Sequence, residues 1–324
     1  MKSKQTSSSS PRQNQNNESI TDPNDDRPYI TDLLLQHQVE IDTVHENLTN
    51  NEPLFVQDCQ SPNPRYDNIW ILRYILSHRA IANAAKAAQK TIQFRHAKGL
   101  NDLGDIRHRT PSLRNDTKIQ ENQFPSVLAY NTYCASNYTI MHTLPDRNRG
   151  VMSYVKVNEL NLKGIYETLH LQELQDSYLY CNETIFQIQD EITRRTNRLT
   201  KVLKIIDLQD MSLKGLKLNY MKKDAKASRL SQDYYPQLAG AVYVVNCPNF
   251  MQRVWNILKK LFPKRVVEKT NLFGKVITEK ERKKYFEKFV KVDNLPVCFG
   301  GNDEHWPHRV DDLATIFNQE SNSC

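Results

Sequence analysis

From about residue 120 to residue 301, the chain alternates short runs rich in β-branched and aromatic residues with longer amphipathic segments. The short runs predict strands, at 127–130, 151–157, 202–208, 241–245 and 270–273. The longer segments predict helices, at 171–195, 216–234, 250–262 and 279–289. Strands joined through helices of this length pair in parallel. The pattern therefore predicts an α/β domain over residues 120–301, with a mostly parallel sheet flanked by helices.

The segment before this domain predicts a small helical N-terminal unit over residues 28–110. Apolar residues recur with helical spacing over 30–48, and Asp67 stands where it would cap a helix over 68–78. The stretch 80–97 is rich in alanine, which allows a neighbouring helix to approach closely. We expect this unit to pack on the α/β domain.

Both ends of the chain are polar. Residues 1–27 are rich in Ser, Gln, Asn and Asp and lack core-forming residues, which predicts a disordered tail. Residues 302–324 predict a polar C-terminal tail with one short helix near 310–317. The N-terminal residues contain no apolar stretch typical of a signal peptide, and no apolar run approaches the roughly 18 residues of a membrane span. We therefore expect the protein to be cytoplasmic.

The sequence lacks the motifs of the common enzyme classes. Glycine accounts for 9 of 324 residues, which is less than half of the usual share of ~7%. Gly-rich phosphate loops, a nucleophile elbow and the zinc protease motif are absent. The six cysteines lie far apart and predict reduced thiols. The residues Asp303, Glu304, His305 and His308 suit a metal by type, but nothing in a polar terminal segment fixes their geometry. We predict no catalysis, no cofactor and no metal.

Positive charge is concentrated in two segments. The formal net charge is +7, yet residues 193–230 hold eleven Lys or Arg against three Asp, and residues 253–291 hold thirteen against four Glu. Such a field favours an anionic partner, either an anionic membrane surface or nucleic acid. The basic segments lack aromatic stacking platforms, so we expect no nucleic acid partner. A solvated basic face without a specific partner is the remaining alternative.

The segment that follows Pro248 has an unusually wide apolar face. Phe250, Val254, Ile257, Leu258 and Leu261 share one side of a helix, and further apolar residues broaden that side, namely Met251, Trp255 and Phe262. A helix of this kind must cover another apolar surface, and an ordinary core helix is the alternative interpretation. Basic residues cluster at its far end, at Lys259, Lys260, Lys264 and Arg265.

Several strings, in the same order along the chain, resemble the CRAL-TRIO lipid-binding family, which includes phosphatidylinositol/phosphatidylcholine transfer proteins. DNIWILRYIL is similar to the family's Leu-Leu-Arg-Phe-Leu helix, and DRNRGVMSY is similar to its turn into a strand. VLKIIDLQDMSLKGL, DYYPQLAGAVYVVNCP and LPVCFGG resemble three further family motifs. The resemblance covers residues 67–301.

The resemblance implies a single lipid cavity, floored by the sheet and closed by a gate helix over 250–262. We expect strand residues Ile206, Val242 and Val244 to line the floor, with Met251, Trp255 and Leu258 above them. We expect a membrane-docking surface on the far end of the gate helix, formed by Lys259, Lys260, Phe262, Lys264 and Arg265.

The residues that would meet the lipid head group follow the family only in part. The family members that take phosphatidylinositol have a Lys where Lys269 stands, but their Glu and Arg fall at Gln237 and His78. Lys204 takes the place of a small hydroxyl residue that meets phosphocholine, and a cation there would repel choline and attract phosphate. The resemblance therefore implies an anionic head group.

The sequence thus predicts a monomeric cytoplasmic protein, peripherally associated with anionic membranes, that binds and transfers one phospholipid or similar amphiphile. Two alternatives remain open at this stage. One is an interaction or scaffold module with the same fold and no lipid exchange, and the other is a basic nucleic-acid-binding protein.

Overall fold

The computed structural model describes residues 26–104, 125–134, 140–142, 151–211, 217–262 and 264–304. The predicted short helix near 310–317, most of both predicted tails, Pro263, His305 and His308 lie outside these residues.

Five helices form the N-terminal part of the described chain: α1 (Ile30–Gln36), α2 (Gln38–Asn51), α3 (Pro53–Cys59), α4 (Asn68–Ile75) and α5 (Ile81–Ala97). The predicted cap is confirmed, because the Asp67 carboxylate accepts a hydrogen bond from the backbone N–H of Trp70 at 3.0 Å. Ala84 and Ala88 of α5 are fully buried in the core that these helices share. Their small side chains let α2 and α4 pack closely on α5.

The strand predicted at 127–130 is wrong, because these residues lie in α6 (Pro125–Cys134). Val127 and Tyr130 are both buried, and their separation of three places them on one side of a helix. A proline is well tolerated in the first turn of a helix, and Pro125 stands there. A short apolar run alone cannot separate a strand from a buried helical turn.

The remaining chain builds one five-stranded sheet in the order β1 (Ile140–His142), β2 (Val151–Lys156), β3 (Val202–Asp207), β4 (Ala239–Val245) and β5 (Thr270–Leu272). β1 is antiparallel to β2, and β2 to β5 are parallel. The crossovers between the parallel strands contain α7 (Leu171–Thr196), α8 (Leu218–Tyr234), α9 (Met251–Leu258) and α10 (Lys264–Lys269). The single turn α11 (Glu279–Glu281) follows β5 and continues into a π-helical turn, Arg282–Phe286. The predicted fold class is confirmed.

The two faces of the sheet have different surroundings. On one face, Leu203, Ile205 and Tyr243 pack in a core with Phe286 and Phe299 from the segment after β5. The opposite face carries the alternate residues of β3 and β4, which are Val202, Lys204, Ile206, Val242 and Val244. This second face is covered by α7, α8 and α9, and it contains most of the predicted site residues.

A buried polar network joins the helical unit to the α/β part. Both guanidinium Nη atoms of Arg95 on α5 donate to the carboxylate of Glu183 on α7, at 2.7 and 2.8 Å. The Tyr235 hydroxyl donates to the same carboxylate at 2.7 Å. A second ion pair crosses the seam between Arg73 and Asp190, at 3.1 Å. These contacts fix the position of the helical unit beside the amino ends of the strands.

In the described part of the chain, no helix is long and apolar enough to cross a bilayer.

Candidate functional site

An apolar cluster fills the space between the sheet and α9. Val244 on β4 and Met251 and Leu258 on α9 are buried, each with 6% of its surface exposed. Ile206 on β3 and Trp255 on α9 are half-buried and pack against them. Other members come from the neighbouring segments, among them Val157, Leu208, Met211, Met221 and Leu272. The structure therefore gathers five of the six predicted lining residues into one cluster.

Val242 is the predicted lining residue that this cluster does not include. It shares a sheet face with Val244, two residues further along β4. Its Cα is paired with that of Lys204 on β3, whereas Val244 is paired with Ile206. Val242 and Lys204 therefore form the next row of the same face, toward the amino ends of the strands.

α9 is shorter than the helix predicted over 250–262. It ends at Leu258 and is followed by a 3₁₀ turn, Lys259–Leu261. Phe262 is extended, with φ −102° and ψ 148°, and it precedes Pro263, which disfavours helical backbone at the residue before it. Ile257, on the predicted apolar face, has 55% of its surface exposed. The apolar side that faces the sheet is consequently narrower than the sequence suggested.

The basic residues after α9 lie at the surface. Lys259, Lys260 and Lys264 are exposed, while Phe262 is half-buried with its ring 6.1 Å from that of Trp255. Arg265 is exposed and lies 3.8 Å from an oxygen of Asp233, and Lys264 lies 3.7 Å from Glu268. Pairs this exposed contribute little to stability, so their charges remain accessible to a partner.

Lys204 lies deep in the protein on the sheet face that α7 covers. Its ammonium donates to the amide oxygen of Asn182 at 3.3 Å. Burial lowers the pKa of Lys204, although the nearby Cys181 and Asp224 side chains act in the opposite direction. The residue still keeps part of its surface accessible.

Asp224 on α8 is a carboxyl group whose charge acts on Lys204. Its Oδ1 accepts hydrogen bonds from the hydroxyls of Tyr166, at 2.8 Å, and of Tyr178. Burial raises the pKa of Asp224, and the two tyrosines and Lys204 oppose that rise. Lys204 and Asp224 are therefore one basic and one acidic group whose charges partly offset each other.

A second group of cations lies at the amino ends of the strands. The ammonium of Lys269 donates to the carbonyl oxygen of Ala239 at 2.7 Å. Burial, together with the charges of Lys269 and Arg73, lowers the pKa of Lys201 to about 8. Burial also lowers the pKa of Lys269, assisted by the charge of Arg265. Lys201 and Lys269 are therefore two partly buried cations, each lying near other positive charges.

Gln237 and His78 lie at the seam between the helical unit and β4. The Gln237 amide donates to the Leu76 carbonyl oxygen at 2.9 Å and to the Ser77 hydroxyl at 3.0 Å. His78 Nδ1 lies 2.9 Å from the carbonyl oxygen of Tyr74. Gln237 has a positive φ of 59°, and its two hydrogen bonds hold its side chain on the helical unit. It stands two residues before Ala239, whose carbonyl Lys269 binds.

The structure thus separates the two lysines that the sequence assigned to the head group. Lys204 belongs with Asn182 and Asp224, and Lys269 belongs with Lys201. Sequence reasoning missed Lys201 and Asp224, because their importance depends on neighbours distant in the chain. The one available signal for Lys201 was its place directly before a strand in a basic segment.

Among the described residues, no group of three or more His, Cys, Asp and Glu side chains is arranged to hold a metal ion.

Comparison with known proteins supports the likeness drawn from the sequence. Residues 135–301 match the CRAL/TRIO domain family. The Sec14 cytosolic factor of Schizosaccharomyces pombe is 25% identical over 149 residues, which cover 45% of this chain and 50% of that protein. The CRAL-TRIO domain-containing protein YKL091C of Saccharomyces cerevisiae is 22% identical over 246 residues, covering 73% of this chain and 71% of that protein. The match thus spans only about half the length of the S. pombe relative.

The fold is also similar to a solved structure. The crystal structure of Sfh5 aligns with a TM-score of 0.51 over 88% of this chain and 98% of that chain, at 11% sequence identity. At this identity the likeness concerns the fold alone.

Proposed function

The chain belongs to the CRAL/TRIO domain family, whose members bind lipids, and we propose that it binds one phospholipid or similar amphiphile and transfers it between membranes. The observation that carries this proposal is the apolar cluster between the sheet and α9. Ile206 and Val244 form its floor, and Met251, Trp255 and Leu258 form its roof. An acyl chain lying between floor and roof would be stabilised by about 25 cal/mol for each Å² of its apolar surface that is removed from water.

Exchange needs a second, open arrangement of α9. A membrane favours that arrangement if it binds the open form more tightly than the closed form. The short helix is held to the sheet mainly by Met251 and Leu258, and exposed Lys259, Lys260 and Lys264 follow it. These cations would draw the segment to anionic head groups, each contributing about 1 kcal/mol near the surface. In this proposal the protein is a cytoplasmic monomer that docks peripherally on membranes. Lipid exchange of this kind involves no catalysis.

Lys269 and Lys201 support an anionic head group. Both ammonium groups are half-buried beside other cations, so an incoming phosphate would relieve the repulsion between them. Lys204 contributes less to this preference, because the nearby Asp224 partly offsets its charge. The proposed head-group contacts are therefore Lys269 and Lys201, with Gln237 and His78 beside them at the seam.

Competition between lipids tests this assignment. Phosphatidylinositol, phosphatidic acid, phosphatidylserine and phosphatidylcholine compete for the delipidated protein, and bound lipid is extracted and quantified. We expect phosphatidylcholine to bind most weakly. The variant Lys201→Ala with Lys269→Ala should lose the preference for anionic lipids, and Lys204→Ala, the matched single-lysine control, should largely keep it. Equal binding of phosphatidylcholine by the wild type would contradict the anionic assignment.

A further inference from the structure

Lys204 lies on the covered sheet face, between the apolar cluster under α9 and the polar side chains of Asn182 and Asp224. It precedes Ile206 by two residues on β3, and its backbone is paired with Val242 on β4. An alkyl chain lying over Ile206 and Val244 beneath α9 would therefore end beside the Lys204 amine. This placement rests on the proposed lipid cavity.

The amine of Lys204 has no direct ion-pair partner in the described part of the chain, although the charge of Asp224 acts on it from further away. Among the residues that the structure describes, no carboxylate lies within ion-pairing distance of Lys204, and the amide oxygen of Asn182 at 3.3 Å is its hydrogen-bond acceptor. Burial shifts the pKa of Lys204 downward, which increases the fraction present as the free amine. A desolvated lysine of this kind is the usual nucleophile for carbonyl compounds in proteins.

Asp224 supplies the acid and base that such chemistry needs. Both tyrosine hydroxyls, from Tyr166 and Tyr178, donate to its Oδ1, and Oδ2 has no hydrogen bond to any described residue. Burial raises the pKa of this carboxyl group, so that it can hold a proton closer to neutral pH than an ordinary aspartate. The carboxyl group is near enough to Lys204 for each to affect the other's charge.

The same two groups restrict the ligand's polar end. An anion placed beside Lys204 would also meet Asp224, and a cation placed beside Asp224 would meet Lys204, so either charge is partly repelled. A neutral carbonyl group avoids both penalties and can accept a hydrogen bond from the amine. Of the neutral carbonyl compounds, an unhindered aldehyde reacts most readily with an amine.

We propose that Lys204 captures the carbonyl group of a long-chain aliphatic aldehyde as a reversible imine inside the cavity. The lone pair of the Lys204 nitrogen attacks the carbonyl carbon as the C=O π bond breaks, and the proton that the nitrogen then loses passes to the oxygen to give a neutral carbinolamine. Asp224 then protonates the hydroxyl group, which leaves as water while the C=N bond forms. The resulting iminium returns one proton to Asp224. One amine and one aldehyde thus give one imine and one water, with no oxidation or reduction, and water reverses the reaction.

Borohydride trapping tests this proposal on the full-length protein. The delipidated protein is mixed with less than one equivalent of hexadecanal, reduced with sodium cyanoborohydride, and analysed by intact mass and peptide mapping. We expect one adduct per chain, on Lys204, in about tenfold or greater excess over Lys201, because a chain held in the cavity raises the effective concentration of the carbonyl at one amine only. Propanal, which has the same reactive group without the long chain, should show no such selectivity.

Two further measurements separate this proposal from the lipid-binding proposal. Lys204→Arg keeps the charge and removes the nucleophile, so it should bind the unreactive analogue hexadecanol and give no adduct at position 204. Mapping of the wild-type adduct decides the matter even if that variant does not fold. Adducts spread over surface lysines, or concentrated on Lys201, would overturn the proposal while hexadecanol binding left the lipid cavity intact. Absence of both adduct and hexadecanol binding would overturn both.

Discussion

At the scale of single residues, Lys201 shows how a side chain proposed to bind a ligand can lower the stability of the folded protein. Its folded pKa is about 8, whereas an ordinary lysine has a pKa of about 10.4. Below pH 8 the folded state must therefore hold a cation that the unfolded chain accommodates more easily. As the pH rises from about 8 toward 10.4, the unfolded chain binds more protons and the folded state gains stability. A bound anion removes this penalty.

The substitution Lys201→Met should therefore have opposite effects on stability and on binding. We expect it to raise the Tm of the delipidated protein at pH 7 and to reduce the gain in stability between pH 8 and 10. The same change should weaken the binding of phosphatidic acid. Thermal unfolding at several pH values, with lipid binding measured on the same samples, checks both effects. A lower Tm at pH 7 would show that Lys201 stabilises the lipid-free protein.

Glu183 acts in the opposite direction. Burial alone would favour the neutral acid, but the ion pair with Arg95 and the hydrogen bonds from Arg95 and Tyr235 together hold the pKa of Glu183 below its usual range. The stability that this gives is complete above the unfolded pKa of about 4.3 and is lost as the pH falls through the lower folded value. The network therefore contributes its full stability at neutral pH.

Glu183→Gln should destabilise the protein by about 3 to 5 kcal/mol, because it leaves the Arg95 charge buried without a partner. Urea unfolding at pH 7 measures the loss. Glu268→Gln is the matched control, since it removes an exposed carboxylate 3.7 Å from Lys264 and should cost at most about 1 kcal/mol. Glu183→Gln should also show a smaller fall in stability at acidic pH, because the ionisation of Glu183 no longer contributes to it. Equal losses in the two variants would contradict this account of the network.

At the scale of elements, the segment from α9 to the start of α10 combines a buried apolar side with an exposed basic end. Met251 and Leu258 pack toward the sheet, and Ile257 is directed to solvent. The 3₁₀ turn after α9 places Lys259 and Lys260 at the surface. A helix so short makes few contacts with the sheet, which keeps the cost of moving it low.

Charge reversal at Lys259, Lys260 and Lys264 should weaken binding to anionic liposomes by about 3 kcal/mol or more and slow lipid transfer, without emptying a protein already loaded. Reversal at Lys275, Lys280 and Lys284, which are also exposed, changes the net charge equally and serves as the control. The difference should shrink with added salt, because exposed charges are screened within roughly 10 Å at 0.1 M. Equal effects of the two triple variants would place the membrane contact elsewhere.

At the scale of the whole molecule, the central strands of the sheet were predicted better from the sequence than the segments that pack against them. The segment that became β4 is a continuous apolar run, and the segment that became β3 is apolar apart from Lys204 and its last residue, Asp207; runs of this kind are typical of buried parallel strands. The run at 127–130 had a similar composition and became helix, because packing on α7 decided its state. Local pattern therefore sufficed where both faces of a strand are buried, and failed for a short run whose neighbours are distant in sequence.

The candidate site could be predicted in its apolar part and only partly in its polar part. Ile206 and Val244 follow from strand alternation, and Met251 and Leu258 from helical spacing. The proximity of Lys201 to Lys269, and of Lys204 to Asp224, depends on how β3, α8 and α10 come together in space. No local pattern in the sequence encodes those distances.

The central claim is that the space between the sheet and α9 holds one lipid per chain. Native mass spectrometry of the protein reloaded with phosphatidylinositol, compared with its Val244→Trp variant, tests this claim most directly. The account predicts one bound lipid per wild-type chain, and no bound lipid in a variant that keeps its Tm, because a large side chain would fill an existing cavity more easily than a dense core. A wild-type chain without lipid, or equal lipid occupancy in wild type and Val244→Trp, would contradict the account.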